Sequence, residues 1–187
     1  MDMSEMMLVT GGARSGKSNF AEKEAAKYNR VLYVATGIAY ENDTEFQARI
    51  QKHQATRPAN WDTFESFQGI AAYLDQHANE YELIMLDCVT MLVTNLFFTL
   101  LRERELTNEV ADEVEAEIQS EVAAILTAGK NSSAKLIFVT NEIGLGVVPE
   151  NKLTRVFRDI IGRINQQIAA QVEEVYFVIS GIPKRWK

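Results

Sequence analysis

One stretch limits the architecture of this chain more than any other: Met6-Met7-Leu8-Val9-Thr10-Gly11-Gly12-Ala13-Arg14-Ser15-Gly16-Lys17-Ser18. A short apolar run leads into Gly11-x-x-x-x-Gly16-Lys17-Ser18, and residues 19–28 are rich in helix formers. Strand, glycine-rich turn and helix N-terminus is the order a phosphate-binding loop requires. Gly11 and Gly16 admit backbone conformations closed to other residues, so successive N–H groups can converge on an anion. The following helix adds its positive dipole end. In such a loop Lys17 reaches the β- and γ-phosphates, and the Ser18 hydroxyl is a ligand for Mg2+. The whole turn from Gly11 through Gly12, Ala13, Arg14, Ser15 and Gly16 to Ser18 is therefore the candidate nucleoside triphosphate site.

The rest of the chain alternates between two periodicities. Apolar runs suited to buried strands fall at residues 7–10, 31–35, 83–86, 136–140 and 175–179. Helical patterns fall near 17–28, 43–56, 67–77, 107–128 and 149–171. Such alternation predicts an α/β fold, a mostly parallel sheet with helices on both faces. Residues 88–101 are apolar and threonine-rich, and stay open between helix and loop. Residues 107–128 carry an apolar stripe of Val110, Val114, Ile118, Val122 and Ile125, with Thr107 or Asn108 as start and Gly129 as end.

At 187 residues the chain is expected to form one domain, with residues 1–5 as a disordered leader. No apolar run approaches the roughly 20 residues of a membrane helix, and no basic flank precedes a signal-like segment. A single cysteine, Cys88, precludes an intrachain disulfide and suits a cytoplasmic location. The formal net charge of −7 argues against nucleic acid as a partner. Eight acidic residues and one arginine between Glu103 and Glu121 account for a net −7 by themselves, so the remainder is near neutral. That acidic helix reads as a solvated face, and anionic substrates are not repelled from the rest.

Two further elements carry chemistry. Leu83-Ile84-Met85-Leu86-Asp87 is an apolar strand ending in an acid, which after a phosphate loop suits Asp87 to Mg2+. Thr90, Thr94 and Asn95 follow and are candidates for the same sheet edge, where open α/β folds bind ligands. On a helix, Arg49 and His53 share a face and Arg57 continues the column, although Pro58 disfavours helix there. Cations beside a histidine bind phosphate oxygens and keep the imidazole neutral. A solvated basic helix, or a packed His53, is the plainer alternative. His77, in a polar helix end, reads as exposed.

Taken together these residues resemble a family, the bifunctional adenosylcobinamide kinase/adenosylcobinamide-phosphate guanylyltransferases of cobalamin biosynthesis. The resemblance runs from Met7 to about Ile182. It rests on residues 9–18 and on Arg49-Ile50-x-x-His53-x-x-x-Arg57-Pro58-x-x-Trp61. Residues 139–151 (Val-Thr-Asn-Glu-Ile-Gly-Leu-Gly-Val-Val-Pro-Glu-Asn) and Phe157-Arg158-Asp159-Ile160-x-Gly162-Arg163-x-Asn165-Gln166 complete it.

The resemblance implies a RecA-like P-loop protein that phosphorylates adenosylcobinamide with ATP or GTP. It then transfers GMP from GTP to adenosylcobinamide phosphate through a guanylylated histidine. His53 matches that histidine. Gln54, Ala55, Thr56, Arg57, Glu65 and Asp87 match positions that contact the guanine nucleotide, as do Gly11 to Ser18 and Thr36-Gly37-Ile38. It also implies a homo-oligomer, often a trimer. Lys52 stands where some relatives carry a second histidine, and the turn at 36–43 is slightly longer than in some. Asn141-Glu142 and Pro149-Glu150-Asn151 read either as a tight turn and helix cap or as substrate contacts. Two alternatives stay open: a P-loop small-molecule kinase or NTPase without guanylyl transfer, and a non-catalytic nucleotide switch.

Overall fold

A computed structural model of the chain describes residues 5–37 and 58–187. The apolar runs become strands β1 (Met6–Thr10), β2 (Val31–Ala35), β4 (Leu83–Asp87), β5 (Lys135–Val139) and β6 (Glu174–Ile179), each within one residue of expectation. In β1, Met6 and Leu8 join one apolar cluster while Met7 and Val9 join another, and none is more than 2% exposed. A strand apolar at successive positions is covered on both faces.

Two short strands had no apolar signature. β3 (Asp62–Glu65) offers only Phe64 to the core, and β7 (Ile182–Arg185) is exposed throughout and contains Pro183. Proline, having no N–H to donate, is tolerated at a sheet edge. Both strands are at the margins of the sheet, whose order is β3-β2-β4-β5-β1-β6-β7. All neighbours are parallel except β6 and β7, which form an antiparallel hairpin.

Five helices cover the sheet among the described residues: α1 (Lys17–Ala25), α2 (Ile70–His77), α3 (Val89–Leu101), α4 (Asn108–Lys130) and α5 (Lys152–Gln171). α1 packs Ala21 and Ala25 on one face of the sheet, and the other four pack on the opposite face. The stretch left open at 88–101 is α3. Eight of its thirteen residues are buried, and a helix apolar nearly all round carries no clear period.

The stripe on α4 holds: Val114, Ile118, Val122 and Ile125 are buried and Val110 packs beside them, with the Thr107 side chain accepting from the Val110 N–H as N-cap. Gly129 does not end this helix. It lies inside the last turn, because a Cβ there would stand 2.4 Å from Leu136 Cδ2, and only glycine lets β5 approach this closely. α5 begins at Lys152 rather than 149, with the Asn151 side chain accepting from the Thr154 N–H.

The expected helix at 43–56 and residues 1–4 of the expected leader lie outside the described residues. Glu5 is described, and its carbonyl accepts from the Leu136 N–H at 3.0 Å. No helix among the described residues is long and apolar enough to cross a membrane.

Candidate functional site

Because β1 to β6 run parallel, their C-terminal ends share one edge of the sheet, and most of the described candidate residues emerge there. The Gly11–Ser18 turn follows β1, Thr36-Gly37 follows β2, Glu65 ends β3 and Asp87 ends β4. β5 lies between β1 and β4, so the segment that follows it emerges between the phosphate turn and Asp87. This crevice at the carboxyl ends of the strands is where open α/β sheets bind ligands.

The turn is shaped by left-handed backbone at Arg14 (φ 59) and Gly16 (φ 91), which ends with Gly16 as the uncapped N-cap of α1. The side chains of Ala13 and Arg14 are exposed, whereas Ser15 and Lys17 are buried. Gly11 is enclosed: a Cβ there would lie 2.5 Å from the Val178 carbonyl and 2.7 Å from Ser15 Oγ. Gly12, by contrast, faces open space.

The hairpin turn between β6 and β7 supports the loop from outside. Ser180 (φ 50) and Gly181 (φ 80) make a two-residue turn of the primed kind, and the Gly181 N–H donates to the Ser15 carbonyl at 2.7 Å. This contact escaped the sequence reading, although Ser-Gly is itself a turn signal.

Lys17 is 9% exposed, and its ammonium donates to the Gly12 carbonyl at 3.2 Å. Burial lowers its pKa below the usual 10.5, partly offset by Cys88 and by the negative charge of Asp87. A buried ammonium carried by a glycine-rich turn at a helix N-terminus is suited to an anion. The Thr10 and Ser15 hydroxyls are also buried, with no hydrogen-bond partner among the described residues. The cradle thus fits a polyphosphate.

For a cation, Ser18 stands in the first turn of α1 and Asp87 at the end of β4. Among the described residues no group of three or more His, Cys, Asp or Glu converges on a metal position. Hard oxygen donors in so small a number fit Mg2+, which keeps water and phosphate oxygens in its shell.

Tyr33, from the middle of β2, donates its hydroxyl to Asp87 Oδ2 at 2.9 Å and stacks on Trp61 at 6.4 Å between ring centroids. Trp61 is buried, and its backbone N–H donates to the Pro58 carbonyl. So Trp61, which closes the histidine segment, is anchored to the same side chain that orients Asp87. Nothing in the linear spacing marked Tyr33, which reads as one more apolar strand residue.

Thr36 is fully buried and clamps the chain after Asp87: its hydroxyl donates to the Cys88 carbonyl at 2.7 Å and accepts from the Cys88 N–H at 3.0 Å. Asn95 donates to the Thr36 carbonyl at 2.8 Å. Of the three polar residues expected at this edge, Asn95 and Thr90 are placed there. Thr94 instead bonds back to the Thr90 carbonyl within α3. Burial, reinforced by Asp87, pushes the Cys88 thiol up to about 12.

After β5 the backbone is held from three sides. The Thr140 hydroxyl donates to Asn165 Oδ1 at 2.8 Å, the Asn141 N–H donates to Thr90 Oγ1 at 2.8 Å, and Asn165 donates to the Asn141 carbonyl at 3.1 Å. The Glu142 N–H donates to the Gly11 carbonyl at 3.0 Å. At Pro149-Glu150-Asn151 the expected cap is present: Asn151 caps α5, and Arg155 donates to the Pro149 and Glu150 carbonyls.

Glu65 is exposed at the far end of this edge. His77 is not simply exposed; it packs on Tyr73 and pairs with Glu80 at 2.9 Å, remote from the edge at the C-terminal end of α2. Arg49, His53, Gln54, Ala55, Thr56 and Arg57, together with Ile38, lie outside the described residues.

In fold, the chain is similar to two solved secretion ATPases. One is a prototypical ATPase from the type III secretion system of pathogenic bacteria, with a TM-score of 0.61 and 10% identity. It is matched over 94% of this chain and 51% of that one. The other is the assembled ATPase EscN of enteropathogenic E. coli, with a TM-score of 0.59 and 10% identity over 95% of this chain and 43% of that one.

In sequence, the chain is 43% identical over 177 residues to the bifunctional adenosylcobalamin biosynthesis protein CobU of Escherichia coli, covering 95% of this chain and 97% of that protein. It is 44% identical to the protein of the same description from Salmonella typhimurium, with the same coverage. Identity to the bifunctional adenosylcobalamin biosynthesis protein CobP of Pseudomonas aeruginosa is 37%, over 94% of each. Residues 7–186 match the family described as cobinamide kinase / cobinamide phosphate guanyltransferase. The strand-loop-helix cradle and these matches agree, and the chain belongs to the cobinamide kinase / cobinamide phosphate guanyltransferase family.

Proposed function

We propose that this chain is a single catalytic domain that phosphorylates a hydroxyl of adenosylcobinamide and then transfers GMP from GTP to the resulting phosphate. The observation that carries the reading is the buried Lys17 ammonium inside the Gly11–Ser18 turn, one strand from Asp87's neighbour β5. Membership of the family supplies the acceptor.

In the first reaction the acceptor oxygen bonds to the γ-phosphorus of ATP or GTP as the bond to the β-phosphate oxygen breaks. Lys17 and the N–H groups of the turn offset the charge on the phosphates. Ser18 and Asp87 would hold Mg2+, which supplies further charge neutralisation at the phosphate oxygens. Tyr33 fixes the orientation of Asp87.

In the second reaction His53 attacks the α-phosphorus of GTP and pyrophosphate leaves; the phosphate of the acceptor then takes the guanylyl group. Covalent catalysis of this kind divides one exchange into two displacements. Arg49 and Arg57 flank the histidine in sequence, and Ile38, Gln54, Ala55, Thr56, Arg57 and Glu65 contact the guanine nucleotide in this reading. The protein works in the cytoplasm as a homo-oligomer.

Incubation with GTP and Mg2+ alone tests the assignment. The α-label should become protein-bound through an acid-labile, alkali-stable bond, while γ-label should not. His53→Asn should abolish that labelling and guanylyl transfer while phosphorylation of adenosylcobinamide continues. Uptake of α-label by His53→Asn, or none by the wild type, would leave only a P-loop kinase.

A further inference from the structure

Phosphorylating a hydroxyl and guanylylating a phosphate make different demands on protons. The hydroxyl must lose its proton as its oxygen bonds to phosphorus. A phosphate monoester, whose second pKa is about 6, already presents an unprotonated oxygen at neutral pH, and a neutral imidazole attacks through its lone pair. Resting on the function proposed above, the first reaction alone calls for a general base, and neither Lys17 nor a metal-bound Asp87 is free to serve.

We propose that Glu142 is that base. Strand order selects it: neighbouring strands lie about 4.8 Å apart, so β3 and its Glu65 are four spacings, roughly 19 Å, from β1. Asp87 is two spacings away and committed to the cation. Glu142 follows β5, which adjoins β1 directly, and its N–H is bonded to the first residue of the phosphate turn, Gly11. Its carboxylate is half-buried and accepts from the Gly144 N–H at 2.5 Å.

The hydrogen bonds around it have the character of a support for a reacting group. Thr140 is fully buried, and its hydroxyl is tied to Asn165 on α5. Asn141 is held at its N–H by Thr90, three residues beyond Asp87, and at its carbonyl by Asn165. One short segment is thereby locked to the phosphate turn, to the helix after the metal acid, and to α5. A side chain mounted there keeps its position relative to the γ-phosphate, which general-base catalysis needs. Asn165 acts as a positioning residue.

The step balances as follows. The acceptor O–H proton passes to a Glu142 carboxylate oxygen, the O–P bond forms, and the γ-phosphorus bond to the β-phosphate oxygen breaks, releasing nucleoside diphosphate. The proton then leaves Glu142 for water.

Glu142→Gln separates this role from a structural one, because the amide oxygen still accepts from the Gly144 N–H while the base is gone. With full-length protein, kcat for phosphorylation of adenosylcobinamide should fall about 100-fold or more, with KM for the nucleotide within about threefold. Self-guanylylation by α-labelled GTP, and transfer to adenosylcobinamide phosphate supplied directly, should stay within about threefold of wild type. Glu142→Asp should recover part of the lost kcat. Wild-type kcat in Glu142→Gln, or equal loss of both reactions, would overturn the assignment. A wild-type protein that phosphorylates no cobinamide would instead overturn the proposed function itself.

Discussion

Replacing Gly11 by alanine tests whether the phosphate turn is held by packing against the β6–β7 hairpin or merely tolerates it. The added methyl would sit 2.5 Å from the Val178 carbonyl oxygen and 2.7 Å from Ser15 Oγ. Carbon–oxygen contacts relax near 3.3 Å, so one side must give by about 0.8 Å. Val178 is fully buried and follows Phe177, which pairs with Thr10, so its carbonyl is held where β6 leaves β1. The turn yields instead, and it carries Lys17 and the N–H groups to which the proposed function gives the phosphates. Overpacking of this size costs about 1–3 kcal/mol, which in a chain this long lowers Tm by roughly 2–12 °C. The assay is thermal melting with and without GTP and Mg2+. Gly11→Ala should melt lower and lose most of the shift that nucleotide produces. Gly12→Ala is the control, since nothing lies within 4 Å of its added carbon, and its nucleotide-free Tm should match wild type within about 1 °C. Equal melting of wild type and Gly11→Ala, or equal damage from both variants, would refute the packing argument.

Two further outcomes follow from the same site. Lys17→Met keeps the aliphatic stem and removes the buried charge, so kinase activity should vanish while the nucleotide-free protein melts no lower than wild type at pH 7. Because burial lowers the folded-state pKa of Lys17 below 10.5, the unfolded chain holds that proton more tightly. The penalty is therefore full at neutral pH and relieved as pH rises toward 10.5. Any stability advantage of Lys17→Met should shrink with rising pH, and a widening gap would contradict the assignment. Cys88, the chain's single cysteine, has its thiol pushed up to about 12. An aromatic disulfide reagent at pH 8 should therefore label this half-buried thiol much more slowly in the folded protein than in denaturant, and equal rates would refute this.

Local chemistry in the sequence was enough to determine a good deal of this protein. Gly11-x-x-x-x-Gly16-Lys17-Ser18 needs no distant partner to be recognised, since its glycines and helix start act within eight residues. The apolar runs mark their strands because burial on both faces is a demand on composition alone. The stripe from Val110 to Ile125 and the Thr107 cap are likewise periodic or adjacent features. Tertiary structure decided what depends on partners far along the chain. β3 and β7 exist because β2 and β6 offer them hydrogen-bonding edges, not because their own residues favour a strand. Gly129 stays inside α4 because Leu136 occupies the place of its side chain. Gly11 and Gly12 are alike in sequence, yet only Gly11 meets a carbonyl brought by β6 from 167 positions away. Tyr33 becomes the support of Asp87, and Asn165 the support of Asn141, only once parallel pairing aligns β2 with β4 and packing lays α5 against the end of β5. Spacing along a chain carries the conformations a residue favours; which groups meet across a sheet is set by strand order, and that is decided by the packing of the whole core.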